Sequence, residues 1–236
     1  MTTYDRRSVL RTAFILGGAS VASFASACAT GTPTSARTPA VPTSSPASTP
    51  GSVEGRPRVL LVYFSRPGEN YYYGDRTILD VGNTQVVAET IKSLIDVDEY
   101  VIEATEPYSR NYDATVERNR REQQDDARPV IANPLPDVTG YDTVLLGSPV
   151  WNTRAPMIMW TFVEGVELAG MTIHPFVTHA VSGMGTVAED YARICPDSTV
   201  SRGLAVQGEE ATEATSLVAA WLQEIELDGA GGAAHR

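Results

Sequence analysis

The sequence predicts one α/β domain: a doubly wound, five-stranded parallel sheet with helices on both faces. Two observations carry this expectation. Residues 58–64 (Arg-Val-Leu-Leu-Val-Tyr-Phe) and 143–147 (Thr-Val-Leu-Leu-Gly) are continuous apolar runs, as expected of strands covered on both sides. Such runs alternate with stretches of helical spacing, and that alternation implies right-handed crossovers between parallel strands. Five strands so spaced suit the order 2-1-3-4-5. In that order a ligand binds beyond the carboxyl ends of the strands, between the first and the third.

Residues 58–64 form the first strand. After an irregular segment, residues 83–95 have helical spacing, with Val87, Ile91, Leu94 and Ile95 on one face. Residues 100–102 (Tyr-Val-Ile) read as a short second strand, and the strongly charged stretch 113–126 as a solvated helix. The third strand is 143–147, followed by a helix over 156–166. Residues 173–178 give a fourth strand and 186–194 a short helix. Leu204-Ala205-Val206 gives the fifth strand, and a final amphipathic helix spans 211–225 with Leu217, Trp221 and Ile225 in register. The Gly/Ala-rich end, 228–236, is expected to fray.

Among 236 residues, 42% are hydrophobic and 20% charged, which is the balance of a globular chain. Charge is unevenly placed. Residues 1–52 hold four arginines and one aspartate, whereas the remainder has 14 basic and 28 acidic residues, a net −14. An acidic domain repels phosphate backbones, so nucleic acid is excluded as an expected partner. The two cysteines, Cys28 and Cys195, fit no metal-ligand spacing, and Cys195 is expected to be a packed thiol.

The first 28 residues are expected to be a signal peptide. Asp5-Arg6-Arg7-Ser8-Val9-Leu10-Arg11 precedes a modestly apolar run from Ala13 to Ala25, a pattern that resembles a twin-arginine (Tat) export signal. Ala25-Ser26-Ala27 before Cys28 reads either as a general cleavage site or as a lipobox that makes Cys28 a lipidated first residue. Residues 29–53 contain five prolines and eleven serines or threonines, too little apolar surface to offset chain entropy. They are expected to be a disordered linker reaching about 28 Å as a flexible coil. The domain is expected over 54–227, exported to the extracytoplasmic face of the cytoplasmic membrane, tethered there if Cys28 carries lipid and otherwise secreted.

Three loops fall at the expected ligand edge. The first joins Ser65-Arg66-Pro67-Gly68 to Gly82-Asn83-Thr84, where small residues and a helix N-terminus suit an anion. Asn83 or Thr84 also suits a helix cap. The loop is neither the GxGxxG fingerprint nor a P-loop with its lysine, so the expected ligand is a monophosphate. The second loop, Ser148-Pro149-Val150-Trp151-Asn152, carries a tryptophan at a turn, and a planar ring would stack there. The third, Thr178-His179-Ala180-Val181-Ser182-Gly183, combines glycine freedom with a titratable ring; His179 either contacts the ligand or satisfies loop carbonyls. His174, within a strand, is expected to be structural.

Together these motifs resemble the flavodoxin family from about residue 57 to 225: V-Y-F-S-R-x-G at 62–68, G-N-T at 82–84, G-x-P-x-W at 147–151 and T-H…S-G at 178–183. The resemblance implies a flavodoxin-like order 2-1-3-4-5 and flavin mononucleotide (FMN). Ser65, Arg66, Gly82, Asn83 and Thr84 would hold the phosphate. Residues 148–152 and 179–183 would hold the ring, with Trp151 over one face. Two departures stand out. Residues 69–82, with Tyr71-Tyr72-Tyr73 and Arg76, split the phosphate loop, as a lid, a docking surface or a plain surface loop. Asn152 replaces a second aromatic and leaves the other ring face more open.

Three functions are compatible with this reading. One is an electron carrier serving a redox partner protein. The second is an FMN-dependent reductase of quinones or similar small oxidants. The third is a flavin-free binding module on the same fold. No nucleophile–base pair, metal cluster or carboxylate dyad stands out, so the chemistry would reside in the cofactor.

Overall fold

The computed structural model describes residues 58–228. The signal peptide with Cys28, the linker, and all but the first residue of the tail lie outside the described residues. In chain order the elements are β1 (Val59–Tyr63), β2 (Gly68–Tyr72), β3 (Asp75–Leu79), α1 (Asn83–Leu94), β4 (Asp98–Val101), α2 (Tyr112–Gln124) and β5 (Thr143–Pro149). There follow α3 (Met157–Gly165), β6 (Thr172–His179), α4 (Val187–Ile194), β7 (Thr199–Val200), β8 (Leu204–Gln207), a 3-10 turn (Gly208–Glu213) and α5 (Thr215–Glu224).

The main sheet is parallel throughout. β1 pairs with β4 on one side and β5 on the other, β5 pairs with β6, and both β7 and β8 pair with β6. Counting β7 and β8 as one interrupted strand, the order is the expected 2-1-3-4-5. Alternate residues of β1 feed opposite cores, because side chains of a strand alternate between the faces of a sheet. Leu60 and Val62 pack with Val144, Leu146, Phe162 and Tyr191; Leu61 and Tyr63 pack with Ile91, Leu145, Phe176 and Trp221. Each fully buried aliphatic or phenyl side chain contributes roughly 1.5–3 kcal/mol. The two faces together hold the helices in place.

The interruption of the fifth strand follows from Pro175. In β6 the carbonyl of Ile173 accepts from Ser201 of the fifth strand, whereas that of Thr178 accepts from Val150 on the β5 side. Residues 173, 175 and 177 therefore present their backbone groups to the fifth strand. Pro175 has no N–H to offer there, and proline in a sheet interior is found at bulges. Between the pairs Ile173↔Val200 and Phe176↔Leu204, β6 has two residues and its partner three. Gly203 takes up the extra length at φ 75°, and a Cβ there would collide with the Pro175 carbonyl.

Residues 69–82 are mostly not an irregular loop. They supply most of an antiparallel hairpin, β2–β3, whose turn is Tyr73-Gly74 with φ 46° and 92°. Two central residues with positive φ match the right-handed twist of the arms. The charged helix α2 is solvated on one side only: Thr115, Asn119 and Glu122 are buried. The last helix differs in register from the expectation. The 3-10 turn takes its first residues, and α5 buries Val218, Trp221 and Leu222 while Leu217 stands exposed. Leu94 is likewise at the exposed edge of α1. Cys195 and His174 are buried, and His174 Nδ1 lies 3.0 Å from Ser201 Oγ. Among the described residues no helix is long and apolar enough to cross a membrane.

Candidate functional site

A cleft opens beyond the carboxyl ends of β1, β5 and β6, at the reversal of strand order. The loop after β1 and the start of α1 contribute Ser65, Arg66, Asn83 and Thr84; the end of β5 and the loop after it contribute Pro149, Val150 and Trp151. The end of β6 supplies Thr178, His179 and Ala180. Pairing is extended past the strand ends by the Val150 N–H, which donates to the Thr178 carbonyl at 2.8 Å. The second loop thus hangs from the fourth strand.

At one end of the cleft the helix α1 begins without a side-chain cap of its own, Gly82 being its boundary residue. Ser65, from the other arm of the loop, does that work: its Oγ accepts from the Gln85 N–H at 3.1 Å. A Cβ at Gly82 would collide with Ser65 Oγ and the Arg66 carbonyl, so the two arms meet this closely only at glycine. Neither Asn83 nor Thr84 caps through its side chain. The Thr84 hydroxyl instead pairs with that of Thr178 at 2.8 Å, and this end of α1 is the positive pole of the helix.

Arg66 is buried, which lowers its pKa, with Glu69 pulling the other way. Its guanidinium reaches the carbonyls of Ser109 (2.8 Å) and Glu69, while Nε finds no partner. An unpaired donor on a buried cation at the edge of a cleft fits an anion. His179 Nδ1 is also buried without a partner of good geometry; burial lowers its pKa, against the Ala180 backbone and the charges of Glu209 and Glu210.

Trp151 closes the far side. Its ring meets Tyr108 (centroids 5.1 Å apart, 70°) and Phe64 (5.7 Å, 90°) edge to face and borders the cleft.

Six of the residues expected here do not line the cleft, exposed Val181 among them. Gly82 lies just behind it, and Ser148 is buried within β5. Asn152 turns away to donate to Gln123 Oε1 at 2.9 Å. Ser182 and Gly183 sit further along the third loop.

Conversely, Asn70, Tyr71, Tyr112, Gly208 and Glu209 complete the lining. The hairpin is fastened across this region. Glu69 accepts from the Tyr112 N–H (2.8 Å), Arg76 pairs with Asp113 (2.6 Å), and the Tyr73 N–H donates to Glu209 Oε1 (2.8 Å). Only Tyr71 carried a sequence signal, as part of an aromatic run; the others are joined to the site by tertiary contact alone.

Residues 78–225 match the family model described as Flavodoxin. The chain belongs to the flavodoxin family. The match starts inside β3, so the Ser65-Arg66 loop and the first arm of the hairpin precede it. Among solved structures, this flavodoxin is similar to a candidate flavoprotein from Bacteroides eggerthii, with 27% identity and a TM-score of 0.57 over 72% of this chain and 99% of that one. A second candidate flavoprotein, from Bacteroides uniformis, shares the fold at 23% identity and TM-score 0.57, over 71% and 98% of the two chains. No curated protein matches the sequence.

Proposed function

We propose that this flavodoxin binds FMN in the cleft and transfers electrons outside the cytoplasm, serving a redox partner protein. The observation that carries the reading is convergence: Asn83 and Thr84 at the α1 N-terminus, Arg66 with its unpaired Nε, and Trp151 all line one cleft. The phosphate end would be held by Ser65, Arg66, Asn83 and Thr84. The ring would lie among Pro149, Val150, Trp151 and His179, with Tyr71 and Tyr112 on the hairpin side. Bound FMN supplies one- and two-electron redox chemistry. The chain's part would be to bind, orient and shield: His179, whose pKa burial lowers, would present its ring, and Trp151 would exclude water from the face it covers. The extracytoplasmic location rests on the Arg6-Arg7 signal and, if Cys28 is lipidated, on a membrane tether.

The test is the visible spectrum of the purified chain, with chromatographic identification of any released chromophore. Bound FMN is expected, weakened about tenfold in Trp151→Ala through lost stacking and further in Arg66→Met. A colourless chain that takes up no added FMN would sink the reading and leave a flavin-free module on this fold.

A further inference from the structure

The turn that carries Trp151 is strained. Asn152 and Thr153 both have left-handed backbone, at φ 52° and 67°. Asparagine tolerates that conformation, but a β-branched threonine does not. Its closure is a pair of bonds between Trp151 and Arg154: N–H to carbonyl at 2.8 Å one way and 3.3 Å the other. Such a turn persists only where its surroundings impose it.

Three outside contacts do so, one of them Asp190 of α4, which pairs with Arg154 at 3.0 Å. From the third loop, the Thr186 N–H donates to the Thr153 carbonyl at 2.8 Å, with the Thr186 hydroxyl at 3.3 Å. From α2, the Gln123 amide brackets the turn: Nε2 donates to the Trp151 carbonyl at 3.0 Å, and Oε1 accepts from the Asn152 side chain at 2.9 Å. Nε2 also lies 3.4 Å from Asn119 Oδ1 on the same helix. Among aromatic rings the indole meets Tyr108 and Phe64 edge to face and it packs at the margin of the core, so the backbone that bears it decides where on that margin it sits.

We infer that Gln123 is a positioning residue for the cleft: it holds the strained turn that presents Trp151. The inference rests on the FMN reading for its functional consequence. Gln123 does not border the cleft, so it acts on a ligand there through the turn rather than by contact.

The experiment uses the full chain labelled with 5-fluorotryptophan, whose three tryptophans give three ¹⁹F resonances. Trp151→Phe identifies the relevant one. In Gln123→Ala the Trp151 resonance is expected to shift and broaden alone, with FMN bound ~10-fold more weakly in a fluorescence titration. Thr153→Gly, added to Gln123→Ala, permits the left-handed turn without strain and is expected to restore both readouts. An unchanged Trp151 resonance in Gln123→Ala overturns the inference. So does a perturbation spread over all three resonances that Thr153→Gly does not rescue, since that marks a general structural role. A Trp151 resonance that is perturbed and rescued while FMN affinity stays constant upholds Gln123 as the holder of the turn and removes Trp151 as the ring platform.

Discussion

The hydroxyls of Thr84 and Thr178 lie 2.8 Å apart, buried between the first turn of α1 and the end of β6. This bond joins two loops of the cleft from beneath. Each hydroxyl is the other's partner, so removing one leaves the second desolvated and unpaired. Thr84→Val is expected to cost about 1–3 kcal/mol in chemical denaturation. Thr84→Val with Thr178→Val is expected to recover most of that loss. Equal, additive losses would mean that the bond contributes nothing specific.

The hairpin is held at its tip by one exposed contact, from the Tyr73 N–H to Glu209. Glu209→Ala is expected to speed hydrogen exchange at the Tyr73 amide while shifting global stability by less than about 0.5 kcal/mol, as for other exposed polar contacts. Unchanged exchange at Tyr73 would show that the arms alone fix the tip. The Arg76–Asp113 pair, also exposed, is expected to add little on its own.

Gly203 fills the bulge opposite Pro175 with positive φ and no room for a side chain. Gly203→Ala combines backbone strain with overpacking and is expected to lower stability by about 1–3 kcal/mol. For a domain of this size that is several degrees of Tm. A neutral Gly203→Ala would mean that the fifth strand shifts freely past Pro175.

Burial lowers the pKa of His174, and burial likewise lowers that of His179 despite the opposing charges of Glu209 and Glu210. The unfolded chain therefore binds protons that the folded chain refuses, in the window between the depressed folded values and the ordinary 6.5. The stability contribution is whole above 6.5 and is lost as pH falls through that window. Denaturation midpoints are expected to drop from pH 7 towards pH 5, less steeply in His174→Gln. Midpoints that rise over the same range would reverse the assignment.

Much of the fold was legible in the chain. Apolar runs such as 143–147 specify buried strands whatever surrounds them, because only a two-sided cover removes such a run from water. Cleft-lining Ser65, Trp151 and His179 were visible for a related reason: the order 2-1-3-4-5 brings these loops to one edge. The register of the last helix was less legible. Leu217 and Trp221 share a spacing that suits one face, but of the two only Trp221 is buried, beside Val218 and Leu222, while Leu217 stands exposed.

By itself, the sequence determined the strands of the sheet and their parallel direction, since those follow from local periodicity and the handedness of crossovers, while the order 2-1-3-4-5 and its ligand edge came with the family motifs. Only the tertiary structure decided what closes the cleft and what holds it. Glu209 and Tyr112 reach the site, and Gln123 supports it, across intervals of tens of residues that leave no periodic trace. Asn152, expected at the ligand, sits in a left-handed turn and donates to Gln123. Periodicity records which face of an element is buried. It carries no record of the single polar contacts between elements, and these shape the cleft.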